Sequence, residues 1–253
     1  MADLTTGMIL IILFAAFVPS LLLMLLVKNT ERTDREPTGK LLSGFLRGAT
    51  IAVFLAIIIE LFLTYLIFGT NFLPVTELLC RYPAIGTLIL ACIIAPFTEE
   101  LTKAIGIRPL TARAGEIEDG IVYGAVVGLG FAATENFFYE TSAFIEGGAT
   151  VLIGTIFIRT ISSALLHASA SSITGYGLTS AKFRKRSWIP YYLMAVLLHG
   201  IFNLIASSGA LLESSLGESS YLFSLIAAVT LALGAFSWSR RKIRRIDDHG
   251  ILR

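Results

Sequence analysis

Seven apolar runs recur along the chain, at roughly 7–27, 46–68, 84–105, 118–143, 150–180, 190–208 and 219–239. A helix needs about 20 apolar residues to cross the ~30 Å of hydrocarbon in a bilayer. The pattern therefore predicts an all-α, polytopic bundle of about seven transmembrane helices. Polar positions between the runs alternate in charge. Basic residues cluster after the first, third, fifth and seventh runs, and of the 20 lysines and arginines only Arg81 and Arg159 fall elsewhere. Under the positive-inside rule this places the N-terminus outside and the C-terminus in the cytoplasm. Residues 1–239 read as one membrane-embedded domain, with a motif-bearing core at about 84–208 and a basic tail at 240–253.

Composition agrees with this reading. Hydrophobic residues make up 55% of the 253 positions and charged residues 15%, whereas soluble domains carry about 25% charged residues. The net charge of +2 says little about partners; no nucleic-acid partner is expected, the lipid bilayer is, and the protein reads as a multi-pass protein of the cell (plasma) membrane. Cys80 and Cys92 supply neither a disulfide framework nor a metal-binding spacing. The first apolar run lacks a basic leader and fits an uncleaved span. The 69–83 connection, with Pro74 and Pro83, is expected outside.

Ionisable residues inside the runs carry the functional information, because an acid near the bilayer centre costs about 2.5–3.5 kcal/mol. Glu99 and Glu100 follow the apolar run Ala84 to Ala95 within Pro96-Phe97-Thr98-Glu99-Glu100-Leu101-Thr102-Lys103. The plain reading is a helix end at the headgroups, with Glu99 and Lys103 paired at i,i+4. Glu60 stands alone in the second run, either as an interfacial carboxyl or as a partner for Arg159 or Arg81. In the fourth run Gly120, Gly124 and Gly128 recur every four residues, a spacing that lets another helix approach closely. Glu135 and Asn136 end that face. In the fifth, Arg159, Ser163, His167, Ser171 and Thr174 share one helical face. The sixth carries His199 and Asn203, again one turn apart.

Glu99, Glu100, Glu135, His167 and His199 thus come from four consecutive helices, and convergence on one solvated cavity relieves the cost of burying them separately. Glutamate with histidine suits hydrolysis in two ways. A glutamate can act as general base on water, with imidazole assisting and Asn203 donating to an oxyanion. Alternatively, Glu100, His167 and His199 are candidate ligands of Zn²⁺, with a further glutamate as base. The His-Glu-x-x-His motif is absent. A proton-coupled transporter would also bury such residues, but it predicts an inverted repeat, and no second glutamate pair mirrors Glu99-Glu100. A catalytically silent scaffold that binds helices through the glycine face is the remaining alternative. Glu100 lies towards the cytoplasmic end of its helix and Glu135 towards the outer end of its own, so tilt and the Pro96 region must reconcile them, or Glu135 is a gating or supporting residue.

Glu99-Glu100-Leu101-Thr102-Lys103 resembles the EExxK motif of PrsW-type intramembrane proteases, within the wider superfamily of type II CAAX prenyl proteases and bacteriocin-processing membrane proteins. Asp119-Gly120-Ile121-Val122-Tyr123-Gly124 through Gly130-Phe131-Ala132 to Glu135-Asn136 is similar to the second block of that family. His167, and His199 with Asn203, match its later histidine motifs, while Asp34-Arg35-Glu36-Pro37 leading to Glu60 resembles its opening segment. The match runs from about residue 31 to 203. The resemblance implies proteolysis of a membrane-protein substrate, typically site-1 cleavage of a single-pass anti-sigma factor. It also implies a catalytic core of Glu99, Glu100 and His167, completed by Glu135, His199 and Asn203. Members of the family are described as metalloproteases, whereas the related CAAX proteases are argued to depend on glutamate without metal, so both chemistries stay open.

Overall fold

A computed structural model describes residues 4–32, 34–70, 79 and 81–249. Most of the 69–83 connection, with Pro74 and Cys80, and the last four residues of the tail lie outside the described residues. All regular structure among the described residues is helical. Helix α1 (Thr6–Lys28) is followed by α2 (Thr38–Arg47), a turn of π-helix (Gly48–Ala52) and α3 (Val53–Phe68). Next come α4 (Pro83–Ile89), a second π-turn (Leu90–Ile94) and α5 (Ala95–Thr111). Helices α6 (Asp119–Ile161), α7 (Ser163–Arg184), α8 (Ile189–Leu216) and α9 (Ser219–His249) complete the chain. Large apolar side chains such as Leu10, Phe14, Phe54, Leu61, Phe157 and Leu197 face outward, as expected where the solvent is lipid.

Six helical segments among the described residues are long and apolar enough to cross a membrane, against the seven predicted. The difference lies in Asp119–Arg184, a 66-residue segment predicted as two spans. Gly148 breaks it with a φ of +67°, a conformation open to a residue without Cβ. The chain there doubles back, so that the start of α6 packs antiparallel on α7. A Cβ at Gly124 would lie 2.1 Å from the Ser171 carbonyl oxygen, and one at Gly128 would lie 2.3 Å from that of His167. The glycine row therefore sets how near His167 comes to α6.

The second span begins earlier than predicted, at Thr38, because Leu41, Gly44 and Phe45 are buried. The tail is the continuation of α9, and it buries Ile243 and Ile246 in the main core. It also clasps the α1–α2 connection: Arg32 donates its backbone N–H to Asp247 (2.6 Å) and pairs with Asp248 (2.9 Å).

Beneath this clasp Glu31 is almost fully buried. Burial first, then the nearby carboxylates of Asp119, Glu36 and Asp247, push its carboxyl up to about 8, although the Glu36 backbone N–H works in the opposite direction. A carboxyl raised on folding stabilises the fold while it holds its proton. That contribution falls as pH rises from the unfolded value of 4.5 to about 8, and it is gone above. The Tm of detergent-solubilised protein should accordingly decline between about pH 5 and pH 8, and Glu31→Gln should flatten the decline. Parallel profiles for the two proteins would exclude this group as the cause.

Candidate active site

The backbone beside the glutamate pair is irregular for a definite reason. In the second π-turn the Ala95 N–H reaches back to the Leu90 carbonyl, so the Ala91 carbonyl loses the donor an α-helix would supply. The next residue along is Pro96, which has no N–H. A buried carbonyl left in this state needs another donor, and Asn203 Nδ2 provides it at 2.7 Å. Asn203, expected as an oxyanion donor, is placed as a strut that ties α8 to the start of α5. Asn203→Leu should leave that carbonyl unsatisfied and destabilise the protein by about 1–3 kcal/mol. Thermal unfolding measures the effect, and an unchanged Tm would contradict the strut.

From that start α5 turns Glu99, Glu100 and Lys103 inward, and all three are buried. Lys103 is the centre of the network. Its three N–H groups meet three acceptors: Glu99 Oε2 at 3.0 Å, Glu100 Oε1 at 2.9 Å and His167 Nδ1 at 2.8 Å. Its ammonium also lies 4.1 Å from the centre of the Phe131 ring. The i,i+4 pair of Glu99 and Lys103 is present, and it is buried in the protein interior. Lys103, Phe131 and Asn136 were not singled out as site residues in the sequence; for Lys103 the three- and four-residue spacing from the glutamates was the available signal.

Hydrogen-bond logic fixes both histidine tautomers. An ammonium only donates, so His167 Nδ1 accepts and its Nε2–H donates to Glu135 Oε2 at 3.0 Å. The Glu100 carboxylate only accepts, so His199 Nδ1–H donates to Glu100 Oε1 at 3.1 Å. His199 Nε2 is left with a lone pair, 4.0 Å from Glu99 Oε2. Each imidazole is thus oriented by a carboxylate behind it. Ser171 adds a hydrogen bond to Glu100 Oε2 at 3.2 Å.

Glu135 closes the outer side. Arg159 donates to it at 2.5 Å, to Asn136 at 2.7 Å and to Ser163 at 3.1 Å, and stacks on Tyr139 at 3.8 Å. Arg159 is therefore committed to Glu135 and not to Glu60. The two ring nitrogens of His167 span the distance between the two glutamate levels, one facing Lys103 and the other Glu135. A separate cavity of about 510 Å³ lined by Leu101, Ile105, Arg108, Leu178, Lys182 and Trp188 opens on the opposite face of α5.

Glu99, His167 and His199 each offer one atom to a group whose members lie within 4.8 Å of one another. This donor set fits a divalent ion: one carboxylate and two imidazoles, with Glu100 and Glu135 holding the far side of each ring as metal-bound histidines require. Glu100, expected among the ligands, is occupied with His199, Lys103 and Ser171. The Lys103 ammonium holds two of the three donors, Glu99 Oε2 and His167 Nδ1, so an ion would compete with it.

Fold and site together define a multi-pass integral membrane protein whose helices close around a buried carboxylate–imidazole cluster. A family model described as "PrsW family intramembrane metalloprotease" matches residues 36–234. The chain is 28% identical over 199 residues to Protease PrsW of Clostridioides difficile (strain 630), covering 75% of this chain and 76% of that one. It is 26% identical over 206 residues to Protease PrsW of Bacillus subtilis (strain 168), covering 78% and 83%. No solved structure matches the chain. The chain belongs to the PrsW family of intramembrane metalloproteases.

Proposed function

We propose that this chain is an endopeptidase that hydrolyses a peptide bond of a membrane-anchored protein at the cluster of Glu99, Glu100, Glu135, His167 and His199. The observation that carries this reading is the pair of carboxylate-backed imidazoles turned towards Glu99. Water attacks the scissile carbonyl carbon, and Glu99 accepts its proton. His199 Nε2, held by Glu100, orients the water and relays that proton to the departing amine nitrogen. Lys103 supplies positive charge beside the oxyanion, with Glu135 and Arg159 fixing the second ring. The products are a carboxylate and a protonated amine, which takes up both protons of the water. A Zn²⁺ ion bound by Glu99, His167 and His199 would supply Lewis-acid polarisation and a more acidic water.

The antiparallel limbs of Asp119–Arg184 count as two crossings in this reading. That gives seven spans, with the N-terminus outside and the basic face in the cytoplasm of a cell bounded by this plasma membrane. A single-pass anti-sigma factor is the substrate class implied by the resemblance in the glutamate and histidine blocks.

Purified protein incubated with a single-pass substrate, with and without a strong chelator and with metal content measured on the same sample, tests both halves of the proposal. Cleavage lost on chelation and restored by Zn²⁺ supports the metal-bound form. Cleavage indifferent to chelation in metal-free protein supports the glutamate–histidine form. No cleavage of single-pass substrates contradicts the proposal.

A further inference from the structure

The chemistry above leaves two intramembrane acids unused, Glu60 and Glu140, both with unpartnered buried oxygens among the described residues, and of these Glu60 lines a cavity. It projects from α3 into a cavity of about 270 Å³ bounded by Thr64 and, from the α4–α5 segment, by Thr87, Leu90, Ala91 and Ile94. Its Oε1 is buried and has no hydrogen-bond partner among the described residues. Thr87 gives its hydroxyl proton to the Pro83 carbonyl at 3.1 Å, so it does not satisfy the acid. Ala95, at the inner wall, is one helical turn before Glu99 on the same face of α5. The cavity therefore leads to the catalytic carboxylates from the side of α3.

The charges that act on Glu60 are Glu99, Glu135 and Lys103. Lys103 pairs with Glu99 and Arg159 with Glu135, so the group a ligand would meet in this cavity is the unpartnered Glu60 carboxyl. Apart from Thr64 and Thr87, the remaining walls of the cavity are aliphatic. A buried acceptor without a partner is costly until a donor reaches it. The occupant that satisfies both the walls and the unpartnered carboxyl has an apolar stem and a cationic tip, which is the form of a lysine or arginine side chain.

We propose that this cavity is a specificity subsite in which Glu60 receives a basic side chain of the substrate flanking the scissile bond. The proposal rests on the proteolytic reading, but a binding measurement tests it independently. Single-pass peptides carrying one lysine at successive positions are compared with counterparts carrying norleucine, which keeps the stem and lacks the ammonium. Binding and cleavage are both followed with the full-length protein in detergent.

At one register the lysine peptide should bind wild type about tenfold more tightly than its norleucine counterpart, the scale of a hydrogen bond to a charged group. Glu60→Gln should bring that ratio to near unity. Glu60→Lys should turn the preference to a glutamate-bearing peptide. Equal binding of lysine and norleucine peptides at every register of wild type would overturn the subsite with no variant needed. So would a preference that survives Glu60→Gln. Glu60-dependent binding of peptides that stay intact would uphold the subsite and sink the protease; cleavage indifferent to lysine would do the reverse.

Discussion

Glu99→Gln is expected to lower kcat/KM for cleavage by at least about a thousandfold, with little change in Tm. The amide keeps a carbonyl oxygen that can still accept from Lys103, now 3.0 Å from Glu99 Oε2, so much of the packing survives. What is lost is the group that takes a proton from water, together with one of the three donors of the Glu99–His167–His199 set. Any ion bound there should be held more weakly as well. A comparison of turnover, thermal unfolding and metal content for the variant and wild type checks all three effects. A variant that retains a tenth of the activity or more would remove Glu99 from the chemistry and move the role of base to Glu135 or Glu100.

Lys103→Met is expected to destabilise the protein by roughly 3–5 kcal/mol, the cost of leaving a buried charge without its partner. The side chain is fully buried, as is that of Glu100. Removing the ammonium strands two carboxylates and leaves His167 Nδ1 without a donor. Methionine fills the space but supplies no proton. The companion change Glu100→Gln should recover part of the loss, because it removes one of the stranded charges. Zn²⁺ should also raise the Tm of Lys103→Met more than that of wild type, since the ion would take the donors that the ammonium has vacated. Thermal unfolding of the single and double variants, with and without Zn²⁺, decides the matter. A Lys103→Met protein as stable as wild type would show that the carboxylates are not held by this charge.

The helical, membrane-spanning character was legible because lipid imposes long apolar runs, whereas some boundaries were not: the second span starts at Thr38 and not at 46, and α8 runs on to Leu216, past 208. The break at Gly148 falls in the gap between the predicted runs 118–143 and 150–180, but its sharpness was less legible. Gly148 sits among Gly147, Ala149 and Thr150, and nothing local announces how sharply the helix turns there. That the buried acids and histidines would gather was legible for the opposite reason, since such groups inside apolar runs are too costly to be incidental. Their relations to each other were not. Which carboxylate backs which imidazole depends on how closely α6 and α7 approach through Gly124 and Gly128, a tertiary quantity. Asn203 shows the same limit: its partner is a backbone carbonyl orphaned by a π-turn and by Pro96, and no side-chain pattern records that.

Mapping the fragment ends of a single-pass substrate, reconstituted with the purified protein in lipid vesicles, tests the proteolytic site most directly. Wild type should produce two fragments with new termini at one peptide bond in or beside the membrane segment, and Glu99→Gln under the same conditions should leave the substrate whole. Identical fragments from wild type and Glu99→Gln would mean that the cleavage arises elsewhere and that the buried glutamate–histidine cluster is not the active site.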